Sequence, residues 1–201
     1  MKRCILQPLL HCIKCGECTA AKDRRKNTDE EVRDVVEDLD IDNKLILDAC
    51  CGGRMFWYDK QNKDTLFMDN REVDKGAFQN NWNPNWCVKP DMILDFREMP
   101  FPDNHFKLII FDPPHLTSGS EKSVINKKYG LLNKITWKED IVDGFNECWR
   151  VLDLYGTLIF KWNEANIKAA ELIKAFPVKP LFGDFTGKTG KTIWMTFMKK
   201  E

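Results

Sequence analysis

Five short apolar runs recur along the chain: KLILDAC (44 to 50), TLFMD (65 to 69), DMILD (91 to 95), KLIIFD (107 to 112) and GTLIFKW (156 to 162). All but the last end in or just past an aspartate. Apolar runs this short, bounded by polar residues, read as strands buried on both faces, the signature of a parallel sheet. Helical periodicity separates them. Thr28 with Glu31 makes a capping box ahead of Val32, Val35, Val36 and Leu39, and Thr136 with Glu139 makes another ahead of Ile141, Phe145, Cys148, Trp149 and Leu152. A further helix is predicted over about 163 to 176. VKPLFGD and KTIWMTFMK, joined by FTGKTGK, read as an antiparallel hairpin at the sheet edge. Residues 70 to 90 show neither period and are expected to be an irregular insertion. The fold class predicted is α/β, a doubly wound, mostly parallel sheet with a C-terminal antiparallel β-hairpin.

With 201 residues and 43% hydrophobic content, the chain can build one core. The expected division is a Cys-rich arm over 1–27 and one domain over 28–201. No run approaches the roughly 18 apolar residues of a membrane span. A cytoplasmic location is expected, where the eight cysteines would stay reduced. The net charge of zero is unevenly spread: residues 28 to 42 carry eight acidic side chains against Arg33, whereas Lys122, Lys127, Lys128 and Lys134 follow the fourth run, and Lys188, Lys191, Lys199 and Lys200 lie near the end. Lysines grouped near a candidate site favour a polyanionic partner. The sequence leaves the oligomeric state open.

Doubly wound sheets hold their ligands at the carboxyl ends of the strands. Asp48, Asp69, Asp95 and Asp112 all fall there. One such residue often only caps the next turn; four in register point to a site.

Asp48 followed by ACCGG, Asp69 about twenty residues on, DFREMPFPDNHFKLIIFDPPH and a final hairpin together resemble the class I S-adenosylmethionine-dependent methyltransferases, over roughly 43 to 200. The DPP stretch with its fourth residue is similar to the signature of amino-methyltransferases that act on adenine N6 or cytosine N4 of DNA and on some RNA bases. The arrangement also resembles small phage and prophage methyltransferases. The resemblance implies a Rossmann-like methyltransferase sheet with S-adenosylmethionine as cofactor and a nucleic acid, DNA or RNA, as partner.

It also implies roles. The turn at Cys51, Gly52 and Gly53, with Cys50 ahead of it also counted among the cofactor-binding residues, would lie against the methionyl part of the cofactor, where glycine lets the backbone come close. Asp48 would orient that turn and hold the ligand's amino group, Asp69 would accept from the ribose hydroxyls, and Asp95 would receive the adenine amino group. Where the family pattern has three spaced glycines, Cys50 and Arg54 take the outer places. An exocyclic amine is a poor nucleophile because its lone pair is delocalised into the ring. Asp112 and the Pro113 carbonyl would accept its hydrogens, and Pro113 and Pro114 fix φ without adding a competing N–H at these positions. Catalysis would rest on positioning and on stabilising the developing positive charge. The fourth position, which the family fills with a stacking aromatic, is His115, able to stack, hydrogen-bond or act as a base.

The arm poses a separate question. Cys4, Cys12, Cys15 and Cys18, with His11 as a substitute, have the tight spacing of a metal knuckle, and a structural zinc site is expected. An iron–sulfur cluster fits less well, because no fourth cysteine followed by proline stands downstream. Reduced cysteines in a loosely packed arm are the plain alternative. Two other functions stay open: a ribose 2′-hydroxyl methyltransferase, suggested by Lys161 together with Asp112, and a non-catalytic nucleic-acid-binding protein that keeps the fold.

Overall fold

The structure, a computed structural model, describes residues 40–77, 85–119, 123–186 and 190–200. The helix expected over 28 to 39, the metal ligands expected at Cys4, Cys12, Cys15 and Cys18, His11, and the boundary at 27/28 all lie outside the described residues. The chain divides into two compact units, Met1–Asn43 and Lys44–Glu201. Of the first, residues 40–43 hold one 3-10 turn, Ile41–Asn43, with Asn43 Nδ2 donating to the Asp40 carboxylate at 2.8 Å.

The described residues of the second unit form seven strands: β1 (Ile46–Asp48), β2 (Thr65–Asp69), β3 (Met92–Ile93), β4 (Phe106–Phe111), β5 (Leu152–Asn163), β6 (Phe182–Thr186) and β7 (Thr192–Met198). Their spatial order is β3-β2-β1-β4-β5-β7-β6. The first five pair in parallel, and β7 runs antiparallel between β5 and β6. The expected α/β sheet with its C-terminal hairpin is what the chain forms. β2 is buried at every position and β4 at its last three, as unalternating apolar runs require. The strand order reverses between β1 and β4, which opens a crevice at their carboxyl ends.

Among the described residues three helices accompany the sheet: α1 (Val124–Tyr129), α2 (Trp137–Val151) and α3 (Ala169–Ala175). Helix α2 buries Ile141, Gly144, Phe145, Cys148 and Val151. Phe145 stacks on Phe176 at 4.0 Å between ring centroids and meets Phe197 edge-on at 5.0 Å. Burying a side chain of this size contributes about 1.5–3 kcal/mol. Gly144 is what lets α2 come so close: a Cβ there would lie 2.4 Å from Phe96 Cδ2.

Several expectations shift once the elements meet. Leu152, assigned to the helical face, instead opens β5 opposite Phe106, and a register shift intervenes before Thr157 faces Leu108. Tyr155 takes φ 62° inside that irregularity. The capping box at Thr136 and Glu139 does not form; the Thr136 hydroxyl donates to Asp140 at 2.7 Å. The helix from 163 shrinks to α3 because side chains hold the preceding turn: Trp162 Nε1 donates to the Ile167 carbonyl, and Glu164 accepts from the Ala169 N–H. β3 is short because Asp91 takes the Phe67 N–H into its carboxylate at 2.9 Å, replacing a ladder bond. Of the stretch 70 to 90, the described residues 70–77 and 85–90 are less irregular than their sequence suggests: Val73 and Val88 exchange backbone hydrogen bonds of 2.9 Å, and Trp86 and Val88 are buried. No sequence pattern predicts α1.

Candidate cofactor and acceptor site

β1 ends at Asp48, whose side chain is wholly buried. Its carboxylate accepts the Cys50 N–H at 3.3 Å and the Trp57 indole N–H at 2.7 Å. Burial pushes the Asp48 carboxyl up to about 7, against the opposing pull of the Trp57 donor. The turn after it is fixed from β2: Gly52, at φ 49°, donates its N–H to Asp69 Oδ2 at 2.9 Å, and the Cys51 N–H goes to the Met68 carbonyl at 2.8 Å. A Cβ on Gly53 would stand 2.6 Å from Trp86 Nε1. Arg54, in the outer glycine place, adopts φ 50°. A left-handed conformation costs a non-glycine residue about 1–2 kcal/mol. Contacts offset that: the guanidinium lies 3.7 Å from the Phe67 ring centroid, donates to the Lys60 and Lys89 carbonyls at 2.7 Å, and pairs with Asp91 at 3.0 Å.

At the end of β2, the other oxygen of Asp69 accepts from Arg71 Nε at 3.2 Å. Burial raises the Asp69 carboxyl, and the Arg71 guanidinium opposes the rise. Asp95 has a different neighbour. Burial works to raise its carboxyl, yet the side chain and N–H of Arg97 hold it below its usual value, with Nη2 at 2.6 Å.

β4 delivers Asp112 beside Lys161 of β5, Nζ to Oδ2 being 2.5 Å. Burial raises the Asp112 carboxyl, and the ammonium works against it. That ammonium also lies 5.3 Å from the Phe56 ring centroid and 5.4 Å from that of Trp194. Pro113 is buried. His115 packs edge-on against Trp162 and tilts toward Tyr129, each at 6.3 Å, and burial with the nearby Lys161 charge keeps its imidazole below the usual value.

These strand ends enclose a cavity of about 210 Å³. Cys50, Gly52 and Gly53 line it on the β1 side, Asp69 and Arg71 on the β2 side, and Asp112, Pro114 and Lys161 opposite. Phe56, Trp86 and Phe96 add apolar faces, and Lys128, Tyr129, Gly130 and Leu131 supply a further wall. Of the expected site residues, Asp48, Asp95, Pro113 and His115 are not in the lining. Asp48 and Pro113 are buried behind it, Asp95 is turned to Arg97, and His115 packs against Trp162. Arg71, Trp86, Phe96, Lys128 and Tyr129 reach the cavity without an expectation from sequence. Only the lysine grouping around Lys127 and Lys128 hinted at any of them.

Among the described residues, no group of three or more His, Cys, Asp or Glu side chains is arranged to hold a metal ion. No helix among them is long and apolar enough to cross a membrane.

No family model matches the sequence, and no curated protein does. Solved structures do resemble the fold. A crystal structure of a Pyrococcus horikoshii protein aligns with TM-score 0.52 at 13% identity, covering 85% of this chain and 91% of that one. An S-adenosylmethionine-dependent methyltransferase of Leishmania major aligns with TM-score 0.47 at 16% identity, covering 83% of this chain and 74% of that one. The antibiotic-resistance methyltransferase Kmr aligns with TM-score 0.41 at 11% identity, covering 85% and 93% respectively. The Pyrococcus likeness is one of fold, and together with the strand order β3-β2-β1-β4-β5-β7-β6 it gives the described residues a seven-stranded Rossmann-like α/β fold.

Proposed function

We propose that the protein is an S-adenosylmethionine-dependent methyltransferase whose acceptor is an exocyclic amino nitrogen of a nucleic-acid base. The observation that carries the first half is the Asp69 carboxylate, which faces the cavity while one of its oxygens fixes the Gly52 turn. The residues present suit the cofactor. Asp69 keeps lone pairs for a ribose diol, a Cβ at Gly53 would crowd Trp86, and Phe96 and Trp86 offer apolar faces to a purine. When bound, the cofactor supplies an electrophilic methyl group on a sulfonium. In this reading the chain contributes Asp69 to the ribose and the 50–53 turn to the methionyl part.

The acceptor half rests on Asp112, Pro114 and their surroundings. Asp112 accepts an N–H of the amine, holding the nitrogen lone pair toward the electrophile, and Lys161 aims that carboxylate and opposes the rise that burial imposes on it. The proton that leaves the amine after transfer passes to Asp112 or to water. Segment 123–135 carries Lys127, Lys128 and Lys134 and no acidic residue, and Tyr129 is 41% exposed beside the cavity. A basic wall with an exposed ring suits a base attached to phosphates. The 1–27 arm, with Cys4, Cys12, Cys15 and Cys18 on one zinc ion, is proposed as a separate small module, within a division of 1–27 and 28–201.

The Lys161–Asp112 ion pair also favours a second reading, transfer to a ribose 2′-hydroxyl, since the Asp112 carboxylate can take the hydroxyl proton while the Lys161 ammonium holds it in place. Among the described residues no glutamate lines the cavity to complete that arrangement. Incubation with labelled S-adenosylmethionine and separate DNA, RNA and protein pools decides between them. Label on base nitrogen supports the proposal, label on ribose supports the second reading, and calorimetry showing no heat with cofactor or its demethylated product refutes both.

A further inference from the structure

Arg71 stands on the cavity wall and takes no part in the proposed transfer. It lies two residues past Asp69, and its guanidinium makes three contacts that reach two parts of the chain far apart in sequence. Nε donates to Asp69 Oδ1 at 3.2 Å, Nη1 to the Lys127 carbonyl at 2.7 Å, and Nη2 to the Lys128 carbonyl at 2.8 Å. Those carbonyls belong to the last turn of α1, where helix oxygens have no intrahelical partner. Arg71 therefore joins the carboxylate at the end of β2 to the segment that carries Lys128 and Tyr129 into the cavity.

By itself this segment is marginal. α1 is six residues long, too short to be stable through its own hydrogen bonds, and Val124, Ile125, Tyr129 and Leu131 are exposed. Its other ties include the Gly130 N–H to the Asn126 carbonyl at 2.8 Å, the Leu132 N–H to Leu116 at 2.8 Å, and Gly130 against Pro114. Only a planar fork can reach a carboxylate and two carbonyls at once; a lysine ammonium is a point charge and cannot span them in this geometry.

We infer that Arg71 is a positioning residue that couples the cofactor's ribose site to the acceptor wall, so that occupancy at Asp69 sets the order of residues 123–132. The inference rests on the S-adenosylmethionine reading. A ribose diol sharing the Asp69 carboxylate redistributes its lone pairs and charge, and Arg71 is the group that feels the change and transmits it to the Lys127 and Lys128 carbonyls. The reach of this coupling is one side chain, with three hydrogen bonds between the two sites.

Hydrogen exchange of the full chain tests it, with and without S-adenosylhomocysteine, in wild type, Arg71→Ala and Arg71→Lys. Ligand is expected to change exchange across 123–132 by about tenfold in wild type, the equivalent of one charge-assisted hydrogen bond. In both variants that response is expected to vanish, while the Ala49 and Cys51 amides, bonded to Ile110 and Met68, keep their wild-type rates. If Arg71→Ala does not fold, Arg71→Lys carries the comparison. An undiminished ligand response in a folded variant, with calorimetry showing that it still binds S-adenosylhomocysteine, overturns the coupling alone. Wild type that takes up no S-adenosylhomocysteine overturns the cofactor reading and the coupling together.

Discussion

Asp48 ends β1 and Asp112 stands just past the neighbouring parallel strand β4, yet the fold places them in opposite surroundings. Asp48 is sealed behind Trp57 and its own turn, so its carboxylate organises the backbone of residues 50–53 without entering the cavity. Asp112 opens onto the cavity and carries a cationic partner, Lys161, from the next strand. The difference lies in the chain's course after each residue. After Asp48 the chain folds back tightly and brings Trp57 over the carboxylate; after Asp112 two prolines carry the chain away and leave the carboxylate open to a ligand. The neighbours of a strand-end aspartate decide whether its carboxylate is sealed into the backbone or left facing the cavity.

The comparison breaks first at activity. Asp112→Asn should lower methyl transfer by about 10²–10³-fold, the loss typical of removing one hydrogen-bonding group that stabilises a transition state, with cofactor affinity unchanged. Asp48→Asn should leave transfer within a few fold in the same assay; equal losses in the two variants would end the distinction. Asp69→Ala should weaken S-adenosylmethionine and its demethylated product by about 1–3 kcal/mol in calorimetry, through lost charge-assisted hydrogen bonds.

Stability sharpens the contrast from the other side. Trp57→Phe removes the indole donor from a fully buried carboxylate and should cost about 1–3 kcal/mol in urea unfolding. The Asp48 carboxyl, raised from 3.8 to about 7, binds its proton more tightly in the folded state than in the unfolded one. Stability from this group is therefore full below the unfolded value and is lost as pH rises through that window. Urea midpoints taken from pH 4 to pH 8 should show the decline in wild type and a flatter profile in Asp48→Asn. The smallest effect is expected for His115→Ala: acceptor KM up by less than about tenfold, one unit of 1.4 kcal/mol, because its ring supports Tyr129 and Trp162 and does not line the cavity.

The sheet was legible because its signal is local. Unalternating apolar runs that stop at aspartates demand burial on both faces, and one hairpin signature placed β6 and β7 at the edge. The glycine turn and the strand-end carboxylates were legible for the same reason, each being a short pattern with a backbone cause. What each carboxylate does was not. Whether Asp95 meets a ligand or Arg97 depends on the rotamer of a side chain two residues away, and whether Asp48 is buried depends on Trp57 returning over it.

The sequence by itself determined a mostly parallel α/β sheet, an antiparallel C-terminal hairpin and a row of acidic strand ends, because hydrophobic period and turn chemistry act over a few residues. The sequence put Lys161 with Asp112 only as the ground for an alternative function; tertiary structure decided that the two stand 2.5 Å apart across forty-nine positions, and it alone decided that Arg71 reaches from Asp69 to carbonyls fifty-six and fifty-seven positions on. The register between β4 and β5 sets the first pairing, and the path of the chain after β4 sets the second. Neither leaves a periodic trace, since a contact between distant residues constrains the partners' geometry and not the spacing of their letters.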